Sequence, residues 1–249
     1  MDNKSLYKLI CSLIETVEDA EIETQDRVKQ LIKMERRHHR ELAYKLMSCI
    51  EDDYCNCNSL ACKQCVRTKR IKIIESVTKV LMNGDYSFCS LVLYRDVLAK
   101  NELNKLNPQK LKAKLYRDIK KLGIESPMYG ALEVVFEHGN NLWLPHFHLF
   151  LMINDTEKKM LNKLFKKRHG VPSWNGKQAF PIRIDPIDYT SLGRLVYLVT
   201  YVYKFMWQSK MPGGKKCRGE RMNYCDSLHY LDSLRIETLL VEHNVRRKN

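Results

Sequence analysis

Between Gly130 and Phe150 the chain reads GALEVVFEHGNNLWLPHFHLF. Two apolar runs flank His138-Gly139-Asn140-Asn141, and Gly and Asn are the residues that accept the left-handed backbone of a tight turn. The segment therefore predicts a β-hairpin, with strands over Met128–Phe136 and Trp143–Ile153. A pair of strands this apolar cannot stand alone in water; it needs more strands beside it and helices over it.

The rest of the chain supplies both. From about Leu6 to Ile50 apolar residues recur at helical spacing, first through Leu6, Leu9, Ile10, Leu13 and Ile14, then through Val28, Leu31, Ile32, Leu42 and Leu46. The stretch KMERRHHR (33–40) inside the second run is basic, and fits a nucleic-acid contact or a solvated helix face. A cysteine-rich loop covers Asp52–Cys65 and another helix follows it. Ser87–Tyr94 and Phe180–Ile184 read as strands, and Pro108–Leu122, Thr156–His169 and Leu192–Trp207 as helices. A final helix is expected to run to the basic tail Arg246-Arg-Lys248, after a basic loop at Met211–Gly214 with Lys215 and Lys216. The expected fold is α+β, a central antiparallel sheet of about five strands with helices packed on one face. An N-terminal helical and cysteine-rich region (1–80) precedes a sheet domain (81–249), the two forming one compact body.

The hairpin carries polar residues at chosen positions. Alternate residues of a strand share a face, so His146 and His148 project together while Phe147, Leu149 and Leu151 turn the other way. A two-residue turn at Gly139-Asn140 puts Glu133 directly opposite His146, roughly 5 Å away. Two imidazoles and a carboxylate make a small site for a divalent ion with open positions. Glu137 shares the face of Glu133 nearer the turn and is the competing carboxylate. His-x-His alone also fits two histidines on a solvated strand.

In Leu192–Trp207 the polar residues Arg194, Tyr197, Tyr201 and Lys204 fall at i, i+3, i+7 and i+10, one stripe of an otherwise apolar helix. Such a stripe fits tyrosines that merely pack, or one that reacts. A tyrosine hydroxyl, with a pKa near 10, is a poor nucleophile at neutral pH. Against a phosphate polarised by a nearby cation it becomes useful, and Lys204 or Arg194 would stabilise phenolate or neutralise the phosphate.

Cys55-x-Cys57-x4-Cys62-x2-Cys65 offers four thiols within eleven residues, enough to close a structural Zn²⁺ site that holds the N-terminal helices to the sheet. Cys49 is an alternative to Cys55, because Cys-x-Cys is an unusual chelate. Cys217 and Cys225 with His229 are a weaker combination, and Cys11 and Cys89 fit core positions.

Lys and Arg number 43 against 29 Asp and Glu, a net charge of +14 that suits a polyanionic partner. No stretch reaches the ~20 apolar residues of a membrane span, and no signal-peptide pattern opens the chain, so a cytoplasmic protein is expected. There is no Gly-x4-Gly-Lys-Ser/Thr ATPase signature.

Several of these pieces occur in the order found in rolling-circle replication initiators, and the chain resembles the plasmid-type Rep family of the HUH endonuclease superfamily over roughly residues 55–205. Phe88-Cys-Ser-Leu-Val-Leu-Tyr94 resembles that family's first strand motif. Ala131-Leu-Glu133 followed by Pro145-His-Phe-His148 is similar to its metal motif, and Pro186-Ile187 followed by Thr200-Tyr-Val-Tyr-Lys204 to its Tyr-x-x-Lys motif. Cys57, Cys62 and Cys65 followed by Arg67 and Arg70 are similar to its cysteine motif. The resemblance implies Glu133, His146 and His148 as ligands of a catalytic Mn²⁺ or Mg²⁺, Tyr201 as nucleophile beside Lys204, and Arg67, Arg70 and Arg194 as DNA contacts. Where some plasmid initiators carry glutamate four residues before the tyrosine, this chain has Tyr197, an arrangement closer to two-tyrosine phage initiators and transposases. The implied activity is sequence-specific nicking and joining of single-stranded DNA, or of a hairpin at an origin, through a 5′-phosphotyrosine, with a host helicase for unwinding. An HUH-type transposase, a water-using metal hydrolase and a non-catalytic zinc-containing nucleic-acid-binding regulator are the alternatives.

Overall fold

The structure is a computed structural model, and it describes residues 3–51, 56–174, 176–210, 216–217 and 220–245. Helices α1 (Asn3–Leu13), α2 (Val17–Ile32), α3 (Arg37–Glu51) and α4 (Lys63–Leu81) come first. Then follow β1 (Ser87–Val92), β2 (Leu98–Ala99), a 3₁₀ turn (Leu103–Lys105), α5 (Pro108–Lys121), β3 (Met128–Glu137) and β4 (Leu142–Leu151). The rest comprises α6 (Asp155–His169), β5 (Ser173–Trp174), β6 (Lys177–Gln178), β7 (Ile182–Pro186), α7 (Leu192–Val202), β8 (Gln208–Lys210), β9 (Lys216–Cys217), α8 (Arg221–Asp232), α9 (Ile236–Leu239) and β10 (Leu240–His243). The basic loop 211–215 and the tail 246–249 lie outside the described residues.

Two units result. The first comprises residues 1–79, 190–205 and 218–236, and the second 80–189, 206–217 and 237–249. α7 and α8 belong with the N-terminal helices and not with the sheet. The reason is packing: α1 packs on α7, and α8 on α2 and α3. Leu31, Leu42, Leu46 and Leu228 are all buried in one core there.

The long apolar pattern from Val28 to Leu46 is two helices, not one. Thr16 and Asp19 form a capping box that starts α2. Glu35 takes a left-handed backbone (φ 56°) and reverses the chain before α3, so Leu31 and Leu42 reach the same core.

The second unit is built on β7-β1-β4-β3, all antiparallel. One edge of β3 is shared: β10 pairs antiparallel with Met128–Ala131, and β8 pairs parallel with Val135–Glu137. β10 replaces the end of the expected final helix. Val241 is fully buried there, and its strand pairs a backbone edge that would otherwise be left open. Asn107 caps α5 with Pro108 in its first turn, and an Asn154–Glu157 capping box starts α6 just after β4. Both helices cover the sheet face that carries Leu91 and Phe147, and a groove there is lined by Lys114, Arg117, Lys121, Lys167 and Arg168. This groove lies on the face opposite the histidines.

Candidate metal centres and the tyrosine helix

Register creates the glutamate–histidine site. Glu133 stands opposite His146 and Ala131 opposite His148, as the sequence predicts. The ladder closes at Glu137–Leu142, so the loop has four residues and not two. The register is unchanged because the loop grows by one residue on each side. On the same face β1 sets Ser90 beside His148, and β7 sets Arg183 beside Ser90. Glu137 ends the hairpin opposite Leu142, and the carboxylate grouped with the two histidines is that of Glu133.

Gly130 sets the approach of the strands. A Cβ there would lie 2.1 Å from the His148 carbonyl oxygen and 2.9 Å from Leu149 Cα, so only glycine fits. Phe88 stacks on the His148 ring with centroids 5.8 Å apart and planes at 17°. Glu133, His146 and His148 are all buried.

The donor set fits a divalent cation. His146 Nδ1 lies 3.1 Å from the Leu144 carbonyl oxygen, and a proton on Nδ1 would leave Nε2 free to bind a cation. That Nε2 is 3.2 Å from Glu133 Oε2, and the same oxygen lies 2.8 Å from His148 Nε2. Two imidazole nitrogens and a carboxylate oxygen converging in a buried site make a ligand set that a divalent cation could share.

The second cluster is Cys49, Cys57, Cys62 and Cys65. Cys55 lies outside the described residues; among those described, Cys49 of α3 completes the set. Cys49 and Cys57 each sit 3.6 Å from Cys65, sulfur to sulfur. That is far from a disulfide bond of about 2.05 Å and close to the edge, about 3.8 Å, of a tetrahedron with metal–sulfur bonds of about 2.3 Å. The Cys57 amide donates to Cys49 Sγ at 3.2 Å. Hydrogen bonds from Cys57 and Cys65 hold the Cys62 thiol down at about 4, and hydrogen bonds with Cys62 and Cys65 push Cys57 up. All four sulfurs belong to the first unit, so an ion there would tie α3 to α4.

The tyrosine helix ends earlier than its apolar pattern suggests. α7 stops at Val202, Tyr203 caps it, and Phe205 adopts φ 44°. Arg194 and Tyr197 are exposed and Tyr201 is half-buried, so these three keep the expected stripe. Lys204 lies past the helix end and reaches Tyr201 another way, its Nζ 4.4 Å from the ring centroid. Tyr201 and Lys204 belong to the first unit, and Glu133, His146 and His148 to the second.

Two expected DNA contacts have other work. Arg70 is buried, donating to the Tyr203 carbonyl at 2.9 Å and to Glu15 Oε1 at 2.7 Å. It joins the ends of α1 and α7 and is not a surface cation. Arg67 is half-buried and donates to the Glu15 carbonyl at 2.8 Å. Arg194 alone of the three is exposed. Arg183, which the sequence reading missed, is an exposed cation on the histidine face, beside Asp185.

Among the described residues no helix is long and apolar enough to cross a membrane. No protein-family model, curated protein or solved structure matches the chain.

Proposed function

We propose that the chain is a metal-dependent single-strand DNA nicking and joining enzyme, with Tyr201 as nucleophile and Glu133, His146 and His148 as holders of a catalytic Mn²⁺ or Mg²⁺. The observation that carries this reading is the buried convergence of one carboxylate and two imidazoles on a single sheet face. A cation bound there supplies Lewis-acid polarisation of a phosphate oxygen.

The chain's own groups do the rest. The Tyr201 oxygen attacks phosphorus, its bond to the DNA 3′ oxygen breaks, and the phenol proton is lost as that oxygen becomes a 3′ hydroxyl. The 5′ phosphate stays on tyrosine, so the bond is conserved and the reverse attack rejoins the strand. Lys204 lowers the cost of phenolate through its charge at the ring. Arg183 and Arg194 are exposed cations suited to the DNA backbone. The cysteine cluster is assigned to structural Zn²⁺, since four thiolates leave no position open.

The substrate is single-stranded DNA or a hairpin at an origin, and the process is initiation of rolling-circle replication, with HUH-type transposition as the alternative and unwinding left to a host helicase. Incubation with Mn²⁺ and a library of single-stranded oligonucleotides containing a phosphorothiolate leaving group tests it. A protein–DNA adduct that survives denaturation supports the reading. Metal-dependent cleavage without an adduct points to a water-using hydrolase, and tight binding with no cleavage to a non-catalytic regulator.

A further inference from the structure

The basic stretch 33–40 has a feature unrelated to surface charge. His38 and His39 open α3, and Asp226 and His229 stand one turn apart on α8, which packs against α3 within the first unit. One ligand atom from each of His38, His39 and Asp226 lies within 4.8 Å of the others. His39 Nε2 is 3.1 Å from Asp226 Oδ1. The His38 ring centroid is 4.1 Å from that of His39 and 4.7 Å from that of His229. His39 is fully buried, and its Nδ1 has no hydrogen-bond partner, so Asp226 alone orients the ring.

We propose that His38, His39 and Asp226 form a third metal site, which takes a zinc-type divalent transition ion and ties the start of α3 to α8. The donor set is two imidazole nitrogens and a carboxylate oxygen, borderline ligands suited to Zn²⁺ and its neighbours more than to Mg²⁺ or Ca²⁺. The His229 ring packs beside them, its centroid 4.7 Å from that of His38 and 6.1 Å from that of His39. Arg36, 3.7 Å from Asp226 Oδ1, is the opposing charge; it is about half exposed and so screened by solvent. No residue is shared with the cysteine cluster or with Glu133, His146 and His148.

Equilibrium dialysis of the full chain against Zn²⁺, followed by elemental analysis, reads the site as a difference that cancels the other two. Relative to wild type, a His38→Ala/Asp226→Asn variant should retain one zinc equivalent fewer and lose part of the zinc-dependent rise in melting temperature. Circular dichroism checks that the helices persist. Should that variant fail to fold, His38→Gln and Asp226→Asn, tested singly as milder changes, must each weaken zinc binding at this site at least tenfold. Equal zinc content in a folded variant, or unaltered affinity in the milder pair, overturns the proposal. So does a stability change that follows pH and ignores zinc.

Discussion

Glu133 Oε2 and His148 Nε2 lie 2.8 Å apart across two paired strands, at a point where Gly130 lets the backbones approach more closely than any side chain would permit. The contact depends on both register and that missing Cβ. Replacing His146 and His148 together by Ala should abolish binding of Mn²⁺ at this site, read by calorimetric titration, and with it cleavage of a cognate oligonucleotide. Zinc content from the cysteines should not change. Retained cleavage, or loss of the cysteine-bound zinc, contradicts the separation of the two sites. Gly130→Ala should cost about 1–3 kcal/mol in denaturant unfolding through overpacking, and should weaken Mn²⁺ binding by moving His148.

The hairpin site was legible in the sequence because strands have a period of two and an apolar hairpin has one workable register. Loop length proved immaterial, since symmetric growth leaves Glu133 facing His146. Less was legible where helices are concerned. The run from Leu192 to Trp207 stays apolar past its true end, and the stop is set by the backbone at Tyr203 and Phe205, which composition does not mark. Arg70 reads as a surface charge on a basic helix, while its acidic partner Glu15 is 55 residues earlier. Cys49 belongs to the helix before the cysteine loop, so a search for close spacing favours Cys55 over it. β10 is four residues long and follows directly on a helix, and only the open edge of β3 explains it.

Cys49 is in the cluster of described cysteines and Cys55 lies outside the described residues, so mutation decides between the two thiols. The purified chain should carry about one zinc in the Cys49, Cys57, Cys62 and Cys65 site. Cys49→Ser should lower zinc content and melting temperature together, because ligand binding and folding are coupled. Cys55→Ser should keep both. The reverse pattern by elemental analysis would return Cys55 to the site. Removal of zinc by a chelator should unfold the first unit's core around Leu42, Leu46 and Cys49, which holds these sulfurs.

Glu15 governs the response to acid. Burial opposes its ionisation, but Lys63 and Arg70 outweigh that and hold its carboxyl at about 2, against an ordinary 4.5. A depressed carboxyl contributes stability that is full above its unfolded value and is lost as pH falls towards its folded one. The gap corresponds to about 3 kcal/mol. Glu15→Gln should cost roughly 3–5 kcal/mol near neutral pH, since it strands the buried Arg70 without its counter-charge. Urea unfolding of wild type and variant should show that difference constant above pH about 5 and shrinking as pH drops from 4.5 towards 2. A difference independent of pH would mean that the carboxylate charge is not what Arg70 requires.

Lys204 over the ring of Tyr201 distinguishes that tyrosine from Tyr197, one turn earlier and 63% exposed. Both carry hydroxyls, and Tyr201 has the Lys204 ammonium over its ring. Tyr201→Phe should therefore abolish the denaturation-resistant adduct with a suicide oligonucleotide. Phe keeps the ring and the cation–π contact, so melting temperature should move by little and the loss would report on the hydroxyl. Lys204→Met should reduce adduct formation on the order of 10²-fold, as removal of a positioned charge does. Tyr197→Phe separates the remaining roles. If Tyr197 is a second nucleophile, its loss spares the first cut and impairs strand transfer; if it only positions Tyr201, both steps slow together. An adduct that maps to Tyr197 by peptide mass would reverse the assignment of the two tyrosines and leave the chemistry intact. An adduct that persists in the Tyr197→Phe/Tyr201→Phe double variant would remove α7 from the mechanism altogether.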